Sequence, residues 1–219
     1  MSTGNEDLEN PAEQSRFSIL SDQIRKCRLC RDAPLYLPPL PVEPKPLFQG
    51  SRKARLCIAG QAPGLQAHDK GRTFDDPSGN RLRNWLGLDW ESFYNPDNLA
   101  IIPMGFCFPG YDARGGDLPP RRECAPIWRN RIFATLPDLE LILCIGQYAQ
   151  HWHMQDKGPH INLTETVRSW RNYLERSEKP RVLPLPHPSW RNNGWLKKNP
   201  WFEQEMLPAV KDIVRQLVC

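Results

Sequence analysis

Hydrophobic positions along this chain fall into two patterns, short unbroken blocks and longer stripes with helical spacing. The blocks are Arg55–Ala59, Leu99–Met104, Leu139–Ile145 (apolar apart from Glu140) and Val182–Leu185. Each has strand length, and an unbroken apolar run marks a strand covered on both faces, as in a parallel sheet. The stripes lie between them. Ser15–Lys26 places Phe17, Ile19, Leu20 and Ile24 on a short helix. Ser78–Leu86 reads as a helix capped by Ser78, with Leu82, Trp85 and Leu86 facing inward. Further helices are expected from about Pro120 to Leu136, from Gly146-Gln147 onward with Tyr148 and Trp152, and over Thr164–Arg176. The last stripe is the strongest. Asn199 can cap it, Pro200 suits a first turn, and Phe202, Met206, Val210, Ile213, Val214 and Leu217 share one face. Strands alternating with helices predict one α/β domain built on a four-stranded parallel sheet with helices on its flanks. No internal repeat divides the chain, so residues 15–219 are read as that domain and the polar, acidic residues 1–14 as a disordered leader.

Composition narrows the field only a little. A chain of 219 residues can bury a sizeable core, and 39% hydrophobic with 25% charged residues is ordinary for a soluble protein. No apolar run reaches the roughly 18–20 residues that span a bilayer. The N-terminus lacks the basic and apolar regions of a secretory signal, so a cytoplasmic protein with no membrane partner is expected. A net charge of +4 permits a nucleic-acid partner without demanding one. Basic residues cluster at Arg121-Arg122, at Arg129 and Arg131, at Arg191 and at Lys197-Lys198, where a solvated surface is the ordinary reading. Between Pro34 and Pro46 too many N–H donors are missing for regular structure, and an extended surface segment follows.

Two groups of residues carry candidate chemistry. The first strand ends in Gly60-Gln61-Ala62-Pro63-Gly64. That tight loop lets main-chain N–H groups approach a ligand at the carboxyl end of the sheet. The second group is cysteine. Cys57 and Cys144 sit inside apolar blocks as small core residues, and Cys219 is the terminus. Cys27 and Cys30 form a C-x2-C pair, and Cys107 and Cys124 follow in loop contexts, separated by 16 residues. Structural disulfides are disfavoured in the cytosol, and four thiolates suit a [4Fe–4S] cluster or a structural Zn²⁺, with four reduced thiols as the alternative.

With these pieces in place, the chain from about residue 20 to its end resembles the uracil-DNA glycosylase superfamily, and most of all its bacterial branch near the iron–sulfur (family 4) enzymes. Gly60-Gln61-Ala62-Pro63-Gly64 is similar to the family's first motif, a G-x-x-P-G loop, and His187-Pro188-Ser189 to its second. Gly71-Arg72-Thr73-Phe74-Asp75-Asp76-Pro77-Ser78-Gly79 resembles the family's G-R-x-F stretch. The resemblance implies a single-domain three-layer sandwich, a monomer, and a DNA partner, damaged and either single- or double-stranded. It also implies a structural [4Fe–4S] cluster on Cys27, Cys30, Cys107 and Cys124.

A glycosylase must swing its target nucleotide out of the stack, because the N-glycosidic bond cannot be reached inside a duplex. On the family pattern, His187 as neutral imidazole donates to the departing base, and the ring of Phe74 is the floor on which that base stacks. Gly60, Ala62, Pro63, Gly64 and Gly105 supply backbone around the base. Ser189 bonds a phosphate, while Trp190 and Arg191 fill the vacated stack and hold the strand. The sequence departs from the pattern at Gln61 and Ala62, where relatives carry Glu or Asp. Gln61 can hold water through its carboxamide. Some relatives borrow an acid from the following loop, which nominates Asp69 as the group that activates water and His68 second. Pro103 stands where uracil readers place an Asn, which points to a less selective pocket for a deaminated base, uracil or another. No His lies between Cys107 and Cys124, which excludes the covalent-trapping branch, and no Lys in the motifs supports a lyase step. The expectation is a monofunctional base-excision DNA glycosylase. A catalytically weak or inactive DNA-binding module and a hydrolase of small nucleosides are the alternatives.

Overall fold

The computed structural model describes residues 11–154 and 162–218. Within them the order is α1 (Pro11–Arg25), α2 (Leu29–Asp32), β1 (Leu56–Ala59), α3 (Leu65–Lys70), α4 (Pro77–Leu86), α5 (Trp90–Tyr94) and β2 (Leu99–Ile101). Then come α6 (Cys124–Phe133), β3 (Leu141–Ile145), α7 (Gln147–His153), α8 (Leu163–Arg168), α9 (Trp170–Leu174), β4 (Arg181–Leu185), α10 (Asn193–Lys198) and α11 (Leu207–Val218). Helix α1 starts at Pro11, ahead of the expected Ser15. Residues 1–10 of the expected leader lie outside the described residues. No helix among the described residues is long and apolar enough to cross a membrane.

The strands form one sheet in the order β2-β1-β3-β4, every pair parallel, with Leu56 opposite both Leu99 and Leu141, and Leu141 opposite Arg181. Alternation along the strands sends side chains into two cores. On one face Leu56, Ile58, Ile101, Leu143 and Leu185 meet Leu82 and Trp85 of α4, Trp170 of α9 and Val210 and Val214 of α11. On the other, Cys57, Ala59, Ala100, Ile142 and Cys144 meet Leu20 and Ile24 of α1, Ile132 of α6 and Ala149 of α7. Helices on both faces of a fully buried parallel sheet make the three-layer α/β sandwich. The strands read as apolar blocks because neither face meets water.

Several boundaries differ for physical reasons. The second strand ends at Ile101 rather than Met104, although main-chain bonds toward the first strand run on past it, from the Ile102 N–H to the Ile58 carbonyl and from the Met104 N–H to the Gly60 carbonyl, both 2.9 Å. Pro103, between them, has its missing N–H on the side away from β1. The stretch 164–176 is two helices, parted at Ser169, whose hydroxyl bonds back to the carbonyl of Glu165 at 3.0 Å. The cap of α4 is Asp76, not Ser78. Its carboxylate accepts from the Gly79 N–H at 2.8 Å while Pro77 takes the first turn. At the far end, Phe202–Met206 is a π-helical turn leading into α11. The segment 34–46 carries no regular structure, as its prolines require. It is tied down at Leu40, whose N–H meets the Cys30 carbonyl at 2.8 Å, and just past its end at Leu47, whose N–H meets the Phe106 carbonyl at 2.7 Å.

Two of the basic clusters belong to the framework. Arg129 is wholly buried, donating to the carbonyls of Ile102 and Pro103 at 2.9 and 3.0 Å and touching the His153 ring. Burial pushes its guanidinium down to about 10. Arg121 bonds the carbonyls of Tyr36 and Pro38 and the carboxylate of the buried Glu123. Both clamp loops at the carboxyl end of β2.

Candidate active site

At the carboxyl ends of the strands lies an open crevice of ≈ 1330 Å³. Loops from opposite halves of the sequence form it. The loop after β1 contributes Gly60, Gln61, Ala62, Pro63 and Gly64, and the loop after β4 contributes His187, Ser189, Trp190 and Arg191. Gln61 and His187 therefore face one space. The loop after β1 is held to the next segment by main-chain bonds, Met104 N–H to the Gly60 carbonyl and Gly105 N–H to the Gln61 carbonyl, both 2.9 Å.

Phe74 lines the same crevice, and its position is tightly determined. The ring lies against Gly60, where a Cβ would come within 3.2 Å of Phe74 Cζ. Its far side meets Phe93 edge-on, 6.4 Å between centroids. Phe74 holds φ at 55°, a left-handed value that is strained for an aromatic residue. The head of α4 imposes it. A Cβ on Gly79 would fall 1.7 Å from the Phe74 carbonyl oxygen, so glycine is required there. Behind the turn, Arg83 donates to the Tyr94 hydroxyl at 3.3 Å, and that hydroxyl donates to the Thr73 carbonyl at 3.0 Å.

His187 sits where Pro188 turns the chain away from β4. The Ser189 N–H donates to His187 Nδ1 at 3.2 Å, so in the neutral ring Nδ1 is the acceptor and the proton resides on Nε2. Burial holds the imidazole below its ordinary value against the pull of Asp76, and Arg191 adds to the depression. The loop is braced by Asn192, donating to the His187 carbonyl at 2.7 Å, and by Arg81, reaching Asn193 Oδ1 at 2.8 Å. Trp190 stands 72% exposed at the mouth, with the Arg191 guanidinium 5.6 Å from its ring centre.

Three expected site residues are placed elsewhere. Asp69 and His68 belong to α3, not to a loop. Asp69 is exposed, and the His68 ring faces Phe108 at 6.1 Å, away from the crevice. Lys45 holds both of their carbonyls. Gly105 does not line the crevice, its N–H donates to the Gln61 carbonyl, and a Cβ on it would meet Pro120 Cβ at 3.1 Å. Pro103, in contrast, lines the crevice.

Sequence reading missed the turn that closes the crevice from above. Tyr111 and Asp117 form an antiparallel bridge. Between them the Asp112 carboxylate accepts from the N–H groups of Arg114 and Gly116 at 2.8 and 2.9 Å. Gly115 takes φ of 75° to complete the turn. Asp117 and Tyr111 face the crevice, and Asp117 Oδ2 lies 3.6 Å from where a Cβ on Gly64 would stand. Burial raises the Asp117 carboxyl, while the nearby Arg191 lowers it and Asp76 and Asp112 raise it further. The pair Gly115-Gly116 marks a sharp turn in the sequence, but nothing local shows that it folds back over Gly64.

The four loop cysteines are neighbours. Cys124, Cys30 and Cys27 lie near enough to Cys107 for their thiolates to raise it, and Cys27 and Cys30 do the same to Cys124. Burial pushes the Cys124 thiol up to about 12 and Cys107 further. Backbone N–H groups of Lys45 and Phe106 are directed at the sulfurs of Cys107 and Cys124 respectively and offset part of that rise. Among the described residues, no three His, Cys, Asp or Glu side chains converge tightly enough to ligate a single ion.

The solution NMR structure of a candidate uracil DNA glycosylase from Methanosarcina acetivorans is similar at 14% sequence identity, over 78% of this chain and 94% of that one, with a TM-score of 0.45. A model of the uracil DNA glycosylase superfamily matches residues 47–211, from just ahead of β1 into α11, and so includes every wall of the crevice. With that match over most of its length, the chain belongs to the uracil DNA glycosylase superfamily.

Proposed function

We propose that the chain is a monofunctional DNA glycosylase that takes a swung-out, deaminated base into the crevice and hydrolyses its N-glycosidic bond. Membership of the superfamily supports the reaction class. The observation that carries the reading is the pairing, across one crevice, of His187 with a protonated Nε2 and Phe74 with a fixed ring. When the bond to C1′ breaks, negative charge develops on the base and positive charge on the sugar. A neutral imidazole N–H stabilises the base anion, and a partly water-excluded wall strengthens that effect. Phe74 gives the base a flat apolar surface. Gln61 orients water through its carboxamide. Ser189 and Arg191 hold the flanking phosphates, and exposed Trp190 occupies the space the nucleotide leaves. Pro103 presents no side-chain donor or acceptor to the base edge, so bases with different edges are accepted.

We propose also that Cys27, Cys30, Cys107 and Cys124 would hold a [4Fe–4S] cluster, a reading supported by the chemistry of four thiols and by the N–H groups directed at Cys107 and Cys124, while among the described residues the side chains are not drawn together as a ligand set. Such a group would cross-link the segment before β1 to the loop after β2 and take no part in the chemistry.

The test is a panel of oligonucleotides carrying uracil, hypoxanthine or xanthine, in single and double strands, with alkali to reveal abasic sites. Cleavage at one or more lesions is expected. Salt-sensitive binding without product from any of them would replace this reading with a DNA-binding module, and release of base from free nucleosides alone would replace it with a nucleoside hydrolase.

A further inference from the structure

The reaction needs a group to take the proton of the attacking water, and the loop after β1 has none. Gln61 cannot accept a proton at neutral pH, Ala62 has no polar atom, and Asp69 is on the exposed side of α3. Among the described residues two carboxylates line the crevice, Asp76 and Asp117. Asp76 is committed to the head of α4 through its bond to Gly79. Asp112, next to Asp117 in the turn, is likewise occupied by the N–H groups of Arg114 and Gly116. Asp117 has no such duty, and its Oδ2 stands beside Gly64, on the loop that carries Gln61.

We propose that Asp117 is the general base that activates water in the glycosylase reaction, acting from the turn after β2 in place of a carboxylate in the loop after β1. This inference rests on the glycosylase reading. As the C1′–N bond breaks, its electron pair leaves with the base, which His187 Nε2–H stabilises. The water oxygen bonds to C1′, and the water proton passes to the Asp117 carboxylate. The carboxyl then releases that proton to solvent, and the base anion takes one up. The charged and titratable groups that face Asp117 are Arg191 on the loop after β4, Asp76 at the head of α4 and Asp112 in its own turn, with His187 across the crevice. Burial raises the carboxyl above the ordinary aspartate range, which makes its carboxylate a stronger base than that of a free aspartate.

The test uses the full-length protein as purified and a lesion it cleaves. Asp117→Asn should slow single-turnover excision by about 10²–10³-fold and leave affinity for abasic-site DNA within about threefold. It should also abolish the acid limb of the pH–rate profile, which Asp117→Glu should restore together with part of the rate. Gly64→Ala is the second arm. Its methyl at 3.6 Å from Oδ2 crowds the water, so the rate should drop while the acid limb stays. An active wild type matched by Asp117→Asn overturns this inference alone, as does loss confined to Asp69→Asn. If Asp117→Asn does not fold, an unaltered rate in Gly64→Ala overturns it. A wild type that excises no base overturns the glycosylase reading, and this one with it.

Discussion

His187 illustrates how one main-chain bond sets the chemistry of a side chain. Because Ser189 N–H occupies Nδ1, the ring presents a donor at Nε2, and burial keeps it neutral at physiological pH. His187→Ala is therefore expected to lower the excision rate by about 10²–10³-fold with little change in DNA affinity, measured as single-turnover rate against binding. The depressed pKa also has a stability consequence. The unfolded chain binds the proton first, so stability is full above histidine's ordinary 6.5 and declines as pH falls below it. Thermal melts between pH 7 and 5 should show a shallower decline in His187→Ala than in wild type. At this scale the sequence was partly legible. His187, Gln61 and Phe74 stand in the three stretches that carry the resemblance, and all three reach the crevice. Asp117 was illegible because its relation to Gly64 spans more than fifty residues and exists only after the turn folds back. Asp69 looked suitable by adjacency alone, yet helical geometry in α3 points it outward.

Among the elements, α4 does more than pack on α11. Its first turn fixes Phe74, through the carbonyl that only glycine at position 79 can approach. Gly79→Ala therefore gives a diagnostic sign. Alanine improves helix propensity by about 1 kcal/mol, yet the clash should make the variant less stable by about 2 kcal/mol, a fall of roughly 4–8 °C in Tm. Excision should fall with it, since either the helix head or the Phe74 ring must move; calorimetry and the lesion assay read the two effects. The strands were legible because doubly buried segments can be nothing but apolar, and α11 because its stripe is continuous. Ends were less so. Ser78 looked like a cap from composition, but Asp76 takes that place two residues earlier, and a single back-bonding hydroxyl at Ser169 splits what periodicity shows as one helix.

Over the whole molecule, framework and crevice meet in the segment from Pro103 to Cys124. Arg129 and Arg121, which looked like surface charges in the sequence, pin its two ends, the first from inside the core and the second by tying it to the carbonyls of Tyr36 and Pro38. With the thiols of Cys107 and Cys124 in the same segment, protein purified without oxygen should be brown, with a broad band near roughly 400 nm. Cys107→Ser should lose the colour and melt at lower temperature, whereas a colourless wild type holding zinc would replace iron in that assignment. The bond from Gly105 N–H to the Gln61 carbonyl then acquires a wider meaning, because Cys107 is only two residues further along. One ribbon of main chain joins Cys107, a proposed cluster ligand, to the loop that carries Gln61. On the proposed reading, an oxidant that strips the sulfurs would alter the fit of the nucleobase with no moving domain and no distant relay, so excision by oxidised protein should first lose its preference among bases and only then its rate.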